Sequence, residues 1–290
     1  MLGQRFVQTS LLLQPGGAAH PWRALPVSFT HASTPKIPKR ASPAEQAALK
    51  EVRKRHRLSL VALEQLRFCR EHLDRQPGGR QRWLMDGADG GDANRTFFQG
   101  LSERTDVVAR VRKDAKFRAI LPPEQRRGAR KYGPPLPTSL EDLRDPNLAW
   151  QSTAVFGAGQ IRTLQYKEVP RLCWPKVMQT RPLRLILIQA PGYRLRKGSR
   201  LLYREPAFLI TTDLTTPASK LIAAYLARWE VEVNFRDEKT LLGVGQAQVR
   251  NAQAVARAPA FLVAACAMLL WRSIRVFGDR RIEAFERLPA

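Results

Sequence analysis

Cysteine and histidine are scarce in this chain, and the shortage of each excludes a class of site. The three cysteines, Cys69, Cys173 and Cys266, are scattered and form no C-x-x-C pair, so neither a disulfide framework nor a zinc site is supported. The four histidines show no metal-ligand spacing. The sequence also has no P-loop, no dinucleotide fingerprint and no internal repeat. Free, buried thiols in a reducing compartment are therefore expected.

Long hydrophobic runs are missing as well. The longest fully apolar run, Phe261–Trp271, is shorter than the roughly 20 residues that span a bilayer. It belongs to a predicted helix that packs against the core, with Met268 and Trp271 as core residues. Near the N-terminus, the apolar patch Leu11–Leu13 ends at Pro15 and does not follow a signal-peptide pattern. The sequence predicts a soluble, cytoplasmic protein with no membrane partner.

Acidic residues are outnumbered by basic ones along the whole chain. Lys plus Arg number 49 against 25 Asp plus Glu, which gives a net charge of +24 at pH 7. Such an excess favours a polyanion partner, because neutralising phosphates releases their condensed counterions. Charge alone fits nucleic acid, an anionic membrane surface or a ribosome-like RNA partner equally well.

The N-terminal quarter predicts two strands followed by two helices. The segments Gly3–Gln14 and Pro21–Ser33 are rich in β-branched and aromatic residues, which indicates extended structure. Ser42–Glu45 is a capping box with proline at the first helical position, and Ser59 begins a second helix. The basic cluster Arg53–Arg57 on the first helix is either a solvated face or a contact to the DNA backbone.

A turn rich in aspartate and glycine follows a short predicted strand. Trp83–Met85 suits a buried strand, and Asp86, Asp89 and Asp92 crowd its carboxyl end. Such a turn can place an acid at the edge of an active site, although an ordinary Gly/Asp turn explains the pattern equally simply. Calcium is disfavoured because the spacing is not that of an EF-hand and no Glu closes it. Val107–Ala115 then alternates as a second strand.

The middle of the chain predicts a β-rich region. Residues 117–181 are basic and rich in proline, with a strand-like stretch at Ala154–Val169. Leu183–Asp213 is predicted to form a strand pair, and its basic turn Arg194–Arg200 either contacts DNA or keeps a hairpin tip soluble.

The stretch Leu221–Arg250 has helical character, with good helix formers, no internal proline and a break at Gly243. At about 100° per residue, five polar side chains of this helix fall close to one face, four of them within roughly 60°. These side chains are Tyr225, Arg228, Glu232, Arg236 and Lys239.

An adjoining apolar stripe of Leu226, Trp229 and Val233 would dock this helix on a core. The docked helix would then present a carboxylate among cations and a phenol, which suits a metal-binding acid beside phosphate-binding groups. The simpler interpretation is an amphipathic surface helix with solvated pairs such as Arg228–Glu232.

The spacing Y-x2-R-x3-E-x6-K within Tyr225–Lys239 closely resembles the Y-R-E-K signature of cut-and-paste insertion-sequence transposases. These enzymes belong to the DDE class and have an RNase H-like catalytic core. The resemblance implies that Glu232 is the third metal-binding acid and that Arg228 and Lys239 contact the DNA backbone. Tyr225 is implied as a supporting site residue on the DNA side, and Arg236 joins them from the same face.

A second part of the family pattern recurs upstream. The family carries a strand, then D-G-x-x-x-N, a helix, and a strand that ends in an R-K-D-A-like element. Asp89-Gly90, Asn94 and Arg112–Ala115 match it in that order. The resemblance therefore implies Asp89 as the second catalytic acid, with Asp86, closer to the strand, as the runner-up.

The resemblance implies an α/β, RNase H-like fold with a β-rich insertion between the second acid and the Glu-bearing helix. Residues 1–115 would form the N-terminal part of the core with a helical excursion at 43–73, and residues 116–216 the insertion. Residues 217–277 would supply the C-terminal helices of the core, followed by a tail at 278–290.

DDE chemistry needs three acids around two Mg²⁺ ions about 3.5–4 Å apart. No Asp precedes Asp74, which ends a predicted helix and is a poor candidate for the first acid. We therefore expect an N-terminally truncated transposase that lacks the first catalytic strand and has an incomplete Mg²⁺ site.

The function predicted from the resemblance is metal-dependent hydrolysis and strand transfer on double-stranded DNA by a homodimer, with this chain expected to be inactive by itself. The alternative is a non-catalytic, basic DNA-binding remnant of a transposase. A third hypothesis, a basic RNA-binding protein unrelated to transposition, makes the signature accidental.

Overall fold

The structure is a computed structural model that describes residues 5–15, 22–33, 38, 40–128, 130–157, 160–190, 192–193, 200, 202–203, 205–247, 249 and 251–278. Along the chain its elements are β1 (Phe6–Leu13), β2 (Arg23–His31), α1 (Pro43–Arg55), α2 (Leu58–Asp74), β3 (Leu84–Ala88), α3 (Arg95–Gln99), β4 (Thr105–Arg110), α4 (Ser139–Arg144), β5 (Gln151–Gly157), β6 (Gln160–Cys173), α5 (Pro175–Met178), β7 (Pro182–Ile188), β8 (Gly192–Tyr193), β9 (Leu202–Tyr203), β10 (Ala207–Thr211), α6 (Ala218–Ala227), α7 (Trp229–Leu241) and α8 (Ala252–Phe277). The chain divides into two compact units, one of Met1–His72 with Ala227–Ala290 and the other of Leu73–Leu226.

The first unit is built around a β-hairpin. The strands β1 and β2 pair antiparallel, from Phe6 opposite His31 to Leu13 opposite Arg23, which confirms the two extended segments predicted near the N-terminus. Both α7 and α8 pack against β2. On α2, Gln65 ties the helix to the hairpin, because its Nε2 donates to the Val7 carbonyl at 2.9 Å.

The capping box predicted at Ser42 is present with both of its hydrogen bonds. The Ser42 amide donates to Glu45 Oε2 at 2.8 Å, the Glu45 amide donates to Ser42 Oγ at 3.3 Å, and Pro43 occupies the first helical position. This reciprocal pair satisfies backbone donors that a helix N-terminus otherwise leaves open. The second helix begins at Leu58, one residue before the predicted Ser59.

The second unit contains a six-stranded mixed sheet in the order β3-β4-β10-β7-β6-β5. The pair β3 and β4 is parallel, and the other pairs are antiparallel. The helices and this mixed sheet confirm the α/β class. The strands β3 and β5 form the two edges of the sheet, whereas β7 lies inside it and is buried along nearly its whole length.

The predicted β-rich stretch 116–216 does contain strands, and the longer ones extend the sheet that β3 and β4 begin. The strand pair predicted within 183–213 corresponds to β7 and β10, which pair antiparallel. The basic turn predicted at Arg194–Arg200 lies, except for Arg200, outside the described residues. The predicted boundary after residue 115 therefore runs through one sheet.

Apolar side chains cover both faces of this sheet. On one face, Leu221 and Ile222 of α6 pack with Ile186 and Leu209 in a buried cluster. Phe98 and Phe117 each meet the Trp174 ring edge to face, with centroid distances of 6.3 and 5.7 Å. Burial of these large side chains is the main stabilising contribution to the unit.

The helix α8 is longer and more exposed than the sequence predicts. It begins at Ala252, and only Pro259 and Val263 are buried along it. The assignment of Met268 and Trp271 to the core is wrong, because they are 64% and 47% exposed. An apolar helix that packs along one side only leaves the rest of its apolar surface to solvent.

Within the described residues, α8 is also long and apolar enough to cross a membrane by length and composition alone. A single such helix is weak evidence for a membrane span, since a core helix of a soluble protein passes the same test. The soluble, cytoplasmic location therefore stays a prediction.

The buried sheet gives a direct stability prediction. Ile186→Ala, at a fully buried position of β7, should lower the free energy of unfolding by about 2–5 kcal/mol, because it removes buried methyl groups and leaves a cavity. Ile161→Ala, at a 63% exposed position of β6, is the matched control and should change it by less than about 0.5 kcal/mol. Urea unfolding measures both, and equal losses would contradict the buried position of Ile186.

Candidate active site

The stretch that carries the transposase-like signature forms two helices, so the prediction of one continuous helix from Leu221 to Gly243 is wrong. The helix α6 ends at Ala227 and α7 begins at Trp229. Arg228 between them has φ −51° and ψ −30°, and the Val231 amide donates back to its carbonyl at 3.0 Å. This tighter i to i+3 turn interrupts the regular helical bonding.

The predicted end of the stretch agrees with the structure. Gly243 has φ +67°, a conformation that favours glycine. The Val244 amide donates to the Glu238 carbonyl at 3.0 Å, which folds the chain back onto the last turn of α7.

The interruption coincides with the boundary between the two units. Tyr225 belongs to the unit of Leu73–Leu226, whereas Arg228, Glu232, Arg236 and Lys239 belong to the other. Asp89 also lies in the unit of Leu73–Leu226, so the two predicted catalytic acids are carried by different units.

The side of α7 that packs against the hairpin is polar. Glu238 is only 1% exposed, and Asn234 Nδ2 donates to the Ala24 carbonyl of β2. One turn earlier, Glu230 lies 4.0 Å from the Arg23 guanidinium. The i, i+4 spacing of these three residues places them on one side of the helix.

The predicted docking stripe is wrong at Trp229, which is 60% exposed. The side of α7 that packs against the hairpin, its inward side, consists of Glu230, Asn234 and Glu238 instead. These residues are polar, so no apolar periodicity in the sequence could predict it. Burial raises the pKa of Glu238 to about 7, a repulsion from Asp237 adds to this increase, and a hydrogen bond from Gln8 opposes it.

The opposite side of α7 carries the signature residues. At about 100° per residue, Glu232 and Arg236 lie roughly opposite Glu230 and Asn234. The Arg228 guanidinium is 3.2 Å from Glu232 Oε1. Arg236 pairs with Asp237 at 2.9 Å, and Lys239 is exposed. The structure therefore brings a carboxylate and three cations together on the side of α7 that faces away from the hairpin.

Tyr225 has a different environment from the other signature residues. It is 9% exposed and belongs to the apolar cluster that packs α6 on the sheet with Ile186 and Leu209. Its ring thus contributes to the core of its unit.

The acidic turn follows the order of elements that the sequence predicts. Asp89 comes directly after β3, and its Oδ1 accepts from the Gly90 amide at 2.7 Å. The Asp92 amide donates to the Asp89 carbonyl at 3.0 Å. Asn94 then caps α3, because its Oδ1 accepts from the Phe97 amide at 3.1 Å. The turn leaves the Asp89 side chain exposed at the carboxyl end of the strand.

Two details of this region differ from the prediction. The strand begins at Leu84, and Trp83, predicted to be buried in it, is 65% exposed. Asp86 lies inside β3, opposite Val107 of β4, and not in the turn that follows. Burial raises the pKa of Asp86 to about 7, and the nearby Asp92 adds to this increase.

A second pair of acids, which the sequence does not single out, lies in the same unit. Asp106 and Asp213 line a cleft of about 420 Å³ together with Lys220 and Trp83. Asp106 accepts from Thr212 Oγ1 at 2.7 Å. No motif links positions so far apart in the sequence, so only the pairing of β4 with β10 shows that they are neighbours.

These two acids have opposite pKa shifts. Burial raises the pKa of Asp106, a hydrogen bond from Thr212 opposes the increase, and Asp213 adds to it. Burial alone would also raise the pKa of Asp213, but hydrogen bonds from Thr216 and Thr215 hold it below the usual value. Those bonds shape the turn that leads into α6.

Asp74 has a structural partner. Its carboxylate accepts from Arg104 Nη2 at 3.1 and 3.3 Å. The same guanidinium also donates to the Arg80 carbonyl. This agrees with the sequence argument against Asp74 as a first catalytic acid.

The donor chemistry of the site suits Mg²⁺ only in part. Carboxylate oxygens are the ligands that Mg²⁺ prefers, and Asp89 and Glu232 can supply them. In the part of the chain that the structure describes, however, no three or more His, Cys, Asp or Glu side chains form a group that could hold a metal ion.

Comparison with known proteins leaves the family assignment as a resemblance. No protein-family model and no curated protein matches the chain. Any assignment of function therefore depends on the sequence pattern and on the geometry described above.

The partly buried Asp86 predicts a pH dependence of stability. A carboxyl whose pKa is raised in the folded state stabilises the fold at low pH, and this contribution is lost as the pH rises from about 4 to about 7. In the wild type, the free energy of unfolding should fall with pH over this range, by at most about 1.4 kcal/mol per pH unit from this group. In Asp86→Asn this fall should be absent.

The matched control for this experiment is Asp114→Asn. Asp114 is exposed, and a hydrogen bond from Arg112 holds its pKa below the usual value, so its titration lies below this pH range. The control should keep the wild-type slope in urea unfolding at pH 4 to 8. Identical profiles for Asp86→Asn and the wild type would contradict the burial of Asp86.

Proposed function

We propose that this chain binds double-stranded DNA as part of a DDE-class transposase with an RNase H-like core. In this proposal α7 contacts the DNA backbone, and Asp89 and Glu232 are two of the acids that act on the phosphodiester. We further propose that the chain acts in the cytoplasm as a homodimer on paired DNA ends.

The observation that carries the proposal is the two-sided character of α7. Its inward side is occupied by Asn234 and Glu238 against the hairpin. This packing leaves Arg228, Glu232 and Lys239, three of the four signature residues, on the outward side. A carboxylate between cations on one accessible side suits contact with a phosphodiester backbone, because the cations attract the backbone and the acid can bind a metal ion.

The acidic turn supports the same proposal from the other unit. Asp89 stands at the carboxyl end of a strand that pairs parallel with β4, and the turn is closed by Asn94 as the cap of α3. An exposed acid at the end of a strand is well placed to act on a bound substrate.

Asp89 and Glu232 would each offer carboxylate oxygens to Mg²⁺, which would supply activation of the attacking hydroxyl and charge stabilisation at the leaving oxygen. The residues themselves contribute carboxylate oxygens from Asp89 and Glu232 and cations from Arg228 and Lys239. Arg228 also holds the Glu232 carboxylate in place at 3.2 Å.

A non-catalytic DNA-binding role is the second candidate. The observation that favours it is the net charge of +24, which is spread along the chain and favours binding to the DNA backbone without any catalytic step. In this role the basic surface is the function, and substitution of Glu232 leaves DNA affinity unchanged.

The role of α7 in DNA binding gives the first test. The double variant Arg236→Gln with Lys239→Gln should weaken duplex binding, and the slope of log affinity against log salt should become shallower by about 0.9 for each phosphate contact removed. The control, Lys116→Gln with Arg144→Gln, removes the same charge from exposed positions of the other unit. Fluorescence anisotropy with a labelled duplex measures both variants, and equal effects would rule out a specific contact by α7.

The catalytic role of Glu232 gives the second test. The chain is expected to be inactive by itself, so Mg²⁺-dependent nicking of supercoiled plasmid by the wild type would contradict the expected truncation. Any such nicking should be lost in Glu232→Gln and retained in Glu230→Gln, whose side chain lies toward Arg23 of the hairpin. Agarose gels resolve nicked from supercoiled plasmid. A wild-type chain that binds the duplex without nicking it would favour the non-catalytic role.

A further inference from the structure

A basic pocket lies in the unit of Leu73–Leu226. It has a volume of about 540 Å³, and four cationic side chains line it together with a phenol and an amide. These residues are Arg95, Arg126, Lys131, Lys176, Tyr132 and Gln179.

The walls of the pocket are held by packed elements. The helices α3 and α5, which carry Arg95 and Lys176, pack against each other, and Gln99 Nε2 donates to the Val177 carbonyl at 2.8 Å. Phe98 of α3 meets the ring of Trp174, the residue before α5, edge to face. The two cations therefore project from elements with a common buried core.

The loop that supplies the other two cations is fixed by its backbone. The Gly133 amide donates to the Ala119 carbonyl at 3.0 Å, and the Ala119 amide donates to the Pro134 carbonyl at 2.9 Å. A Cβ at Gly133 would come within 3.0 Å of Ala119, so the two segments approach too closely for a larger residue. Arg126 is anchored through Nε, which donates to the Leu121 carbonyl at 2.8 Å.

The pocket concentrates positive charge without an acid to neutralise it. None of its lining residues is an Asp or Glu. Elsewhere in the chain, Arg104, Arg184 and Arg228 each pair with a carboxylate. Within the described residues no such ion pair involves any of the four pocket cations. Cations held together in this way repel one another, and a bound anion relieves that repulsion.

The backbone at the rim is strained. Gln179 has φ +54° and ψ −121°, a conformation that side-chain-bearing residues rarely adopt. Such strain persists only where the surrounding structure fixes it, and it is common at ligand-binding positions.

We propose that this pocket binds phosphate groups of the backbone of double-stranded DNA, in addition to the contacts of α7. The proposal rests on the DNA-binding function proposed above and adds a second contact region to it. Small-molecule pockets are mostly apolar with a few polar groups, whereas four of the nine residues that line this one are cations. The +24 charge of the chain further favours a long polyanion over an isolated anion.

The experiment measures duplex binding by the full chain between 50 and about 300 mM salt. Lys131→Gln with Lys176→Gln should weaken binding and make the slope of log affinity against log salt shallower by about 0.9 for each phosphate contact removed. Both lysines are exposed, so the substitutions should not disturb the fold. The charge-preserving variant, Lys131→Arg with Lys176→Arg, should keep the wild-type slope.

The control is again Lys116→Gln with Arg144→Gln, which makes the same change in charge outside the pocket. If the pocket variant and this control behave alike, the pocket proposal is overturned while the proposed function stands. If the wild-type chain binds no duplex at all, both fail. A shallower slope of log affinity against log salt in the pocket variant supports phosphate binding by the pocket, even if Glu232→Gln has no effect on nicking.

Two further arms identify the ligand. In calorimetry, pyrophosphate and ATP should give the same result with the wild type and with the Lys131→Gln, Lys176→Gln variant. A single-stranded RNA of equal length should not compete with the duplex for the protein. Pocket-dependent binding of either small anion without an effect on duplex affinity would overturn the proposal. A loss confined to RNA would overturn it in favour of an RNA partner.

Discussion

The packing of α7 against the β1–β2 hairpin determines which side chains the signature helix presents. Asn234 donates to the backbone of β2, and Glu238 is buried on the same side next to Gln8. A buried carboxyl is costly when ionised, and the pKa of about 7 shows that this cost is partly avoided by protonation. Because these polar contacts fix the rotation of the helix, Glu232 and its neighbouring cations must lie on the other side. The proposed DNA contacts of α7 therefore depend on a polar interface whose hydrogen bonds are directional, and an apolar interface would fix the rotation less strictly.

The charge of the chain is organised in two ways. Some cations have carboxylate partners: Arg104 holds Asp74 and Arg184 holds Glu168, and both pairs are partly or largely buried. These pairs connect elements within the second unit and leave little charge available to a ligand. The cations of the basic pocket, in contrast, surround an open space. An excess of +24 therefore does not by itself describe a binding surface, because paired and unpaired cations contribute very differently to the local potential.

Local signals were enough to predict much of the secondary structure. The Ser42 capping box, the two N-terminal strands and the break at Gly243 follow from residue types within a few positions of each other. Errors arose where burial depends on distant parts of the chain. Trp229, Met268 and Trp271 have the composition of core residues, but the hairpin receives a polar side of α7 and only one narrow side of α8.

The candidate site shows the same limit. The position of Asp89 after a strand was predictable from its turn, whereas the cleft of Asp106 and Asp213 depends on two strands about one hundred residues apart. The sequence also gives no sign of the division of the signature stretch at Arg228, because no glycine or proline lies next to it. Motif spacing identifies which residues belong to a pattern, but it does not show which of them face solvent.

The strand β3 lies at an edge of its sheet, and among the described residues it pairs with β4 alone. The outer backbone groups of an edge strand are a template for another strand, and natural proteins oppose such association with short strands and with charge. This strand has five residues and one ionisable side chain, Asp86. With a pKa of about 7, that side chain carries its protective charge only partly near neutrality. The charge on this carboxyl opposes the addition of a further strand, so strand addition at β3 favours the protonated form and is coupled to proton uptake.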